Sequence, residues 1–210
     1  MKFQILKNDY ITLKHPTVIY KMVRLYRIIA MRDFGNVKDG QVGGYVESES
    51  NLDGDDKSWI YNEAKVFDTA VITNDSAIRD KAIVCGKSQI KNSTIGGYAL
   101  VTGNDTVVDG CVIADRATVK NGLVIETDMF NAAAISLSAS GHVRNSKLHG
   151  GSYISGNSQV TKSTLRDYCR VYDSQVTGCE LSQGALLRDK KILNETISTN
   201  IDLKVESYAE

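Results

Sequence analysis

The sequence predicts an all-β fold in which the chain winds into triangular coils of short parallel strands. An aliphatic residue recurs at every sixth position in the middle of the 210-residue chain. A small residue stands two positions before each aliphatic one. The single proline is Pro16, so no later residue lacks the amide proton that a strand ladder needs. Together these three observations predict a parallel β-helix.

The regular part of the repeat begins near residue 58. The aliphatic positions are Ile60, Val66, Ile72, Ile78, Val84 and Ile90, and the small positions are Ser58, Ala64, Ala70, Ser76, Ala82 and Ser88. We expect the aliphatic side chain to fill the interior and the small one to lie near a corner, where a large side chain would not fit. Such a run of matches does not arise by chance from ordinary composition.

After Ile90 the spacing alternates between six and five residues, so that three faces make a coil of 17. The predicted inward residues continue as Ile95, Val101, Val107 and Val112, and then as Val143, Leu148, Ile154, Val160, Leu165, Val171, Val176, Leu181 and Leu187. Asn, Asp and Gly residues such as Asp109 supply corners that tolerate a positive φ. Residues 58–189 should form about seven coils. The step from Val124 to Val143 exceeds 17 by two residues, which predicts a bulge and not a projecting arm.

The flanking segments lack the repeat. Residues 1–57 are expected to form a β cap, because the open end of a β-helix exposes unpaired strand groups. The strands predicted there are Tyr10–Leu13, Val18–Val23 and Leu25–Met31. Residues 190–210 alternate apolar and polar side chains, which predicts a tail strand. A lone strand needs a partner, and a neighbouring subunit could supply it.

Composition limits the partners. The chain has 25 basic and 25 acidic residues and an isoelectric point near 6.8. Proteins that bind bulk nucleic acid or anionic membranes usually carry a basic excess, so we expect neither partner. The sequence shows no long apolar segment, which favours a cytoplasmic protein.

The cysteines and histidines show no spacing typical of a metal site. They are Cys85, Cys111, Cys169 and Cys179, with His15, His142 and His149. No Cys-x-x-Cys pair is present, so we expect buried, reduced thiols, with neither disulfides nor zinc.

The small-x-aliphatic pattern resembles the hexapeptide-repeat family over about 130 residues. That resemblance implies a left-handed parallel β-helix and a homotrimer. The segments Leu25–Ile28, Arg32–Gly35, Gly43–Ser48 and Trp59–Tyr61 are similar to the amino-terminal part of hexapeptide-repeat proteins of bacteria, phages and prophages. The fold alone does not fix a function, because it carries acyltransferases, carbonic-anhydrase-like enzymes, binding proteins and structural proteins.

The outward residues of the last coils indicate a ligand site. With a period of 17, His149 lies beneath Arg166 and Tyr153 lies beneath Arg170. The predicted ligand-binding residues are Arg144, His149, Tyr153, Arg166, Tyr168, Arg170, Tyr172 and Arg188. Guanidinium groups between aromatic rings suit planar anions such as nucleotides. A solvated face or a trimer contact would have the same composition.

The leading hypothesis is a non-catalytic homotrimeric binding protein, encoded by a phage or prophage. It would hold a small anionic, nucleotide-like ligand between subunits and sequester a host immune signal, without a cofactor or a metal. The alternative is an acyl- or acetyltransferase that uses acyl-CoA, for which the resemblance implies His142 or His149 as general base. A zinc enzyme is not expected, since it would need three histidines. A structural or protein-interaction module is the second alternative.

Overall fold

The computed structural model describes residues 2–54, 57–125, 135–137, 142–148 and 152–198. Within these ranges the chain is all-β apart from one 3-10 turn, Glu49–Asn51. One eleven-stranded sheet and two eight-stranded sheets form the three faces of a parallel β-solenoid of about eight turns. This architecture confirms the predicted fold class and is consistent with a left-handed β-helix. It contains about one turn more than the repeat predicts.

We call the three sheets faces A, B and C, in the order in which each coil visits them. Face A contains β1 (Phe3–Lys14), β2 (Met22–Ala30), β3 (Val42–Val46), β5 (Lys65–Val66), β8 (Ile83–Val84), β11 (Leu100–Thr102), β14 (Thr118–Lys120), β17 (His142–Arg144), β20 (Gln159–Thr161), β23 (Gln175–Thr177) and β26 (Lys191–Leu193). Face B contains β6 (Val71–Thr73), β9 (Gln89–Lys91), β12 (Val107–Asp109), β15 (Leu123–Ile125), β18 (Lys147–Leu148), β21 (Thr164–Leu165), β24 (Glu180–Leu181) and β27 (Thr196–Ile197). Face C contains β4 (Trp59–Ile60), β7 (Ala77–Ile78), β10 (Thr94–Ile95), β13 (Cys111–Ile113), β16 (Ile135–Leu137), β19 (Tyr153–Ser155), β22 (Arg170–Tyr172) and β25 (Leu186–Arg188).

The interior of the solenoid is the column of aliphatic side chains that the six-residue repeat predicts. All six residues from Ile60 to Ile90 in the regular repeat are fully buried. Their strands pair in register, as when Ile60 lies beside Ile78 on face C. The six small residues that precede them are buried as well. Both predicted roles are therefore confirmed for this part of the chain.

The small residues that carry a hydroxyl also satisfy buried amides. Ser58 Oγ accepts a hydrogen bond from the Ser76 amide at 3.1 Å, and Ser76 Oγ accepts one from the Ser93 amide at 3.3 Å. Ser93 Oγ accepts from the Cys111 amide at 3.0 Å. In this series the serine hydroxyl of one coil accepts a hydrogen bond from a backbone amide of the next coil. A buried N–H without such a partner would destabilise the fold.

The predicted register is wrong by one residue between Val101 and Ile113. Val108 and Ile113 are fully buried, whereas Val112 is 41% exposed and Val107 is half-buried. The corner at residues 103–105 uses one residue more than the prediction allowed. As a result the left-handed corner residue is Gly110, with φ of 68°, and not Asp109.

The coil between Ile113 and Leu137 is longer than the regular 17-residue coils by more than the predicted two residues. Ile113 pairs with Leu137, 24 positions later, whereas Val84 and Val101 pair at a separation of 17. The prediction failed because it treated Val124 and Val143 as equivalent, although they lie on faces B and A. The additional residues fall between β15 and β16, and residues 126–134 lie outside the described residues.

Both flanks of the repeat take part in the solenoid. Strands β1 and β2 form an antiparallel hairpin on the edge of face A, and β3 already pairs in parallel with β5. At the other end β26 and β27 continue the coils beyond residue 189. The strand predicted over Val18–Val23 begins only at Met22, because residues 16–20 form a bend and turn. The remaining tail, residues 199–210, lies outside the described residues.

Candidate functional site

Face C carries a stack of tyrosine and arginine side chains on β19, β22 and β25, which we call the Tyr–Arg ladder. It consists of Tyr153, Arg170, Tyr172 and Arg188. Tyr153 pairs with Arg170, as the 17-residue period predicts, and Tyr172 pairs with Arg188. The four side chains point outward because they alternate along their strands with the buried interior residues.

The ladder brings aromatic rings and guanidinium groups into contact. The ring centroids of Tyr153 and Tyr172 lie 5.4 Å apart, with an interplanar angle of 43°. The Arg188 guanidinium carbon lies 5.3 Å from the Tyr172 centroid. Arg170 and Arg188 are exposed, and neither forms an ion pair with any residue that the structure describes. The ladder therefore offers aromatic surface next to two cations that can contact an anion.

Of the other predicted ligand-binding residues, those within the described ranges are spread over the surface. Arg166 and Tyr168 lie at the corner that leads into β22, where Tyr168 has a left-handed φ of 64°. Arg166 Nη2 lies 3.9 Å from a carboxylate oxygen of Glu180. Arg144 lies on face A, away from the ladder. His149 lies outside the described residues.

A groove on face A contains His142, which the acyltransferase hypothesis names, with His149, as a candidate general base. Its volume is about 290 Å³, and its walls are Thr118, Lys120, His142, Val143, Arg144, Gln159 and Thr161. His142 is exposed between Thr118 and Gln159, its neighbours on β14 and β20. No carboxylate among the described residues forms an ion pair with His142. The groove is basic, and the described residues do not orient the imidazole in the manner of a catalytic dyad.

A polar cluster of buried His15, buried Cys85 and half-buried Asp68 links the hairpin to the solenoid, and the sequence analysis did not predict it. The atoms of His15, Asp68 and Cys85 that could bind a metal ion, one per residue, lie within 4.8 Å of one another. The His15 ring nitrogen Nδ1 accepts hydrogen bonds from the amides of Thr17 and Val18, at 3.1 and 3.0 Å. The proton is therefore on Nε2, which donates to Asp68 Oδ2 at 2.9 Å.

The remaining atoms of this cluster are also engaged. Lys21 donates to Asp68 Oδ1, and the Gly86 amide donates to Asp68 Oδ2 at 3.0 Å. Burial raises the pKa of the Cys85 thiol to about 11, and the thiol donates to Thr102 Oγ1 at 3.2 Å. Imidazole, carboxylate and thiol groups are the types that bind metals, but each potential metal-ligand atom of this cluster already has a hydrogen-bond partner. We therefore interpret the cluster as a clamp that fastens the hairpin, and call it the His15 clamp.

The carboxylate of the clamp is held in its ionised form. Burial alone would raise the pKa of Asp68, but the hydrogen bonds from Lys21, His15 and the Gly86 amide together lower it below its usual value. The same ion pair raises the pKa of Lys21. The clamp is thus complete when Asp68 is negative and Lys21 is positive.

No protein-family model matches the chain, and no curated protein sequence matches it. The β-solenoid is compatible with a hexapeptide-repeat protein. Over the ranges that the structure describes, none of the helical segments has the length and apolar character needed to span a membrane.

Proposed function

We propose that this chain is a non-catalytic binding protein that holds a small, planar, anionic ligand of the nucleotide class on the Tyr–Arg ladder. The observation that carries the proposal is the contact of two tyrosine rings at 5.4 Å beside exposed Arg170 and Arg188. Any nucleobase can stack on an aromatic ring, whichever base it is. A guanidinium group can donate two parallel hydrogen bonds to a phosphate. The ladder offers both kinds of contact on one face.

The proposal includes a homotrimer with the ligand between subunits. One face of a prism supplies only one wall, whereas small-molecule sites bury most of the surface of their ligand. A second wall must come from another copy of the chain or from residues outside the described ranges. The family resemblance supports a trimer. The similarity of the amino-terminal segment to phage and prophage proteins supports the biological part of the proposal, namely sequestration of a host nucleotide signal.

Titration calorimetry with mono-, di- and cyclic nucleotides tests this function. We expect Arg170→Ala and Arg188→Ala each to weaken binding by about 1.5 to 3 kcal/mol, the scale of a hydrogen bond to a charged group. Arg79→Ala is the matched control. Its guanidinium carbon also lies over a tyrosine ring, that of Tyr61 at 4.4 Å, at the opposite end of face C.

The calorimetry has two results that would contradict the proposal. One is the absence of heat with every nucleotide tested. The other is equal weakening by Arg79→Ala and Arg170→Ala, which would place binding away from the ladder. Circular dichroism of each variant should show an unchanged β spectrum, because all three arginines lie on the outer surface.

A second candidate function is acyl transfer from acyl-CoA, and the groove around His142 favours it. Lys120 and Arg144 could contact the CoA phosphates, while His142 would accept the proton of the acceptor nucleophile. The longer coil between Ile113 and Leu137 also removes one argument against this function, because the predicted two-residue bulge was too small. Release of CoA thiol from acetyl-CoA that is lost in His142→Ala, without loss of CoA affinity, would favour the enzyme over the binder.

A further inference from the structure

Strand β1 lies at the edge of face A, and among the described residues it pairs only with β2. Its second half, Tyr10–Lys14, which we call the edge segment, runs antiparallel to β2 from Tyr26 to Met22 without a break in register. Over the ranges that the structure describes, no backbone group bonds to this segment on the side away from β2. A free strand edge is the surface on which an extended peptide can add as a further strand.

The register shows which backbone groups of the edge segment are free. The His15 amide donates to the Lys21 carbonyl at 2.8 Å, which makes these two residues a hydrogen-bonded pair. Hydrogen-bonded and non-bonded pairs alternate along an antiparallel ladder. Tyr10, Thr12 and Lys14 therefore direct both N–H and C=O away from β2. The free edge offers a donor and an acceptor at each of these residues.

The edge segment has defined ends. Residues 7–9 have no pairing partner on β2 and form a bulge, so the pairing of a further strand would end there. At the other end the His15 clamp fixes the chain, because the buried His15 donates to Asp68 Oδ2 at 2.9 Å. An edge that is already held in place loses little conformational entropy when a peptide binds.

The side chains of the edge segment alternate between two environments. Tyr10, Thr12 and Lys14 are exposed, whereas Ile11 and Leu13 are half-buried. These two aliphatic side chains pack against the buried apolar cluster on the outside of face A. Directly opposite residues on neighbouring strands point to the same side of a sheet. The inward positions of an added strand therefore suit apolar residues, and its outward positions lie beside the exposed side chains.

The exposed side of the hairpin carries positive charge. Lys7, Lys14 and Arg24 form no ion pair within the described part of the chain. Lys7 Nζ lies over the Tyr26 ring, 4.7 Å from its centroid, and the Arg24 guanidinium carbon lies over the Tyr10 ring at the same distance. Because these cations lie over faces on which a base would stack, the surface favours a carboxylate over a nucleobase.

The hairpin itself does not neutralise these cations. Asp9 is the only acidic residue between Phe3 and Ala30, and its carboxylate lies 3.7 Å from Arg27 Nε. Opposite charges on directly opposite residues of neighbouring strands stabilise their pairing. Carboxylates at the outward positions of an added strand would supply the charge that the hairpin lacks.

We propose that β1 binds an extended segment of a partner protein as an additional strand along the edge segment, and that apolar and acidic residues alternate in this partner. The apolar side chains of the partner continue the row of Ile11 and Leu13. A carboxylate of the partner pairs with Lys14. The inference goes beyond the proposed function, because it depends neither on a trimer nor on ligand binding by the Tyr–Arg ladder.

Fluorescence anisotropy with a fluorescein-labelled peptide of alternating valine and glutamate tests the edge. Thr12→Pro removes an N–H that faces the free edge and adds a ring that blocks a further strand, so it should weaken binding by at least about tenfold. Met22→Pro is the matched control, because the Met22 N–H points away from β1 and the variant leaves the edge segment unchanged. Lys14→Ala should weaken binding by up to about fivefold, the scale of a cross-strand ion pair.

A second probe keeps the test independent of variant stability. The same peptide methylated on every backbone nitrogen keeps its side chains but cannot donate backbone hydrogen bonds, so it should not bind the wild-type chain. Equal binding of the two peptides would overturn the inference, and so would the absence of binding by the unmethylated one. Equal weakening by Thr12→Pro and Met22→Pro would place the peptide away from the edge segment and overturn it as well.

Two further measurements identify other occupants. If a single-stranded oligonucleotide displaces the peptide from the wild-type chain and also binds Thr12→Pro undiminished, the cations serve a nucleic acid and the inference is overturned. If light scattering shows that Thr12→Pro lowers the mass of the wild-type assembly, another copy of this chain occupies the edge, which also overturns it. Nucleotide binding by the Tyr–Arg ladder should be the same in Thr12→Pro and in the wild-type chain, so the two proposals fail separately.

Discussion

The molecule has two apolar clusters that are built on different principles. The first is the interior of the solenoid, where each coil adds equivalent side chains such as Ile60, Ile78 and Ile95. The second lies outside the solenoid, where the hairpin covers outward-facing residues of face A. Its buried members are Val23, Leu25, Tyr45, Phe67 and Cys85. The interior follows from the period of the sequence, whereas the outer cluster depends on one segment that does not repeat.

The difference bears on how each cluster opens. In a repeat structure each coil contacts only its neighbours, so the interior is a continuous column whose loss at one coil affects the adjoining coils. The outer cluster is a single patch closed at its edge by the His15 clamp. Local opening of the hairpin should therefore expose the outer cluster at a lower free energy than unfolding of the solenoid.

The largest expected effect concerns the interior. Ile113→Ala should lower the free energy of unfolding by about 2 to 5 kcal/mol, since it removes a fully buried side chain and leaves a cavity. Val112→Ala is the control at the adjacent position. Val112 is exposed, and its loss should change stability by less than about 0.5 kcal/mol. Chemical denaturation measures both, and a larger effect at Val112 would show that the register of β13 is wrong.

This pair of residues also shows how far the repeat predicts the fold. The six-residue spacing predicted the interior from Ile60 to Ile90 because every face there has the same length. The prediction failed at Val107 and Val112 because each is followed by another aliphatic residue, Val108 and Ile113, and either member of the pair could point inward. Thr106, whose buried hydroxyl donates to the Thr102 carbonyl, fixes the observed frame, and no simple pattern distinguishes it from its neighbours.

The second prediction concerns the clamp. Asp68→Asn removes the negative charge that pairs with Lys21 and should weaken docking of the hairpin by about 1.5 to 3 kcal/mol, the scale of hydrogen bonds to charged groups. Hydrogen exchange of the β2 amides would measure this effect. Asp33→Asn is the matched control, because Asp33 also pairs with a lysine, Lys38, but on the exposed surface. Faster exchange in the control than in Asp68→Asn would contradict the role of the clamp.

The same docking should depend on pH in a defined direction. The folded pKa of Asp68 is lowered, so its contribution is present above the unfolded pKa of about 4 and is lost as the pH falls through the folded value. The folded pKa of Lys21 is raised, so its contribution is complete below about pH 10 and is lost as the pH rises through the folded value.

The candidate site was predicted only where it follows the repeat. The 17-residue period placed Tyr153 beneath Arg170 because both lie on regular coils of face C. It could not place Arg144, because a list of outward residues does not say which of three faces each one occupies. The His15 clamp escaped prediction for a different reason. Its residues are far apart in the sequence, and no short spacing connects a loop histidine to a corner aspartate.

The last and smallest expected effect compares the thiols of the two clusters. Cys85 belongs to the outer cluster and Cys111 to the interior, and both are buried. Alkylation with N-ethylmaleimide, followed by mass spectrometry of the peptides, should modify Cys85 through opening of the hairpin and Cys111 only through unfolding of coils. Both reactions should be slow at neutral pH. The closed form of the hairpin contributes little to the reaction at Cys85, because burial raises the pKa of this thiol to about 11 and leaves little thiolate.

The clamp variant separates the two routes. If the hairpin opens as a unit, Asp68→Asn should accelerate alkylation of Cys85 by about tenfold to one hundredfold, because each 1.4 kcal/mol of lost docking free energy corresponds to a factor of ten. The same variant should leave the rate at Cys111 unchanged. Equal acceleration at both thiols would mean that the outer cluster and the interior open together, and the distinction between a repeating core and a separately clamped hairpin would then fail.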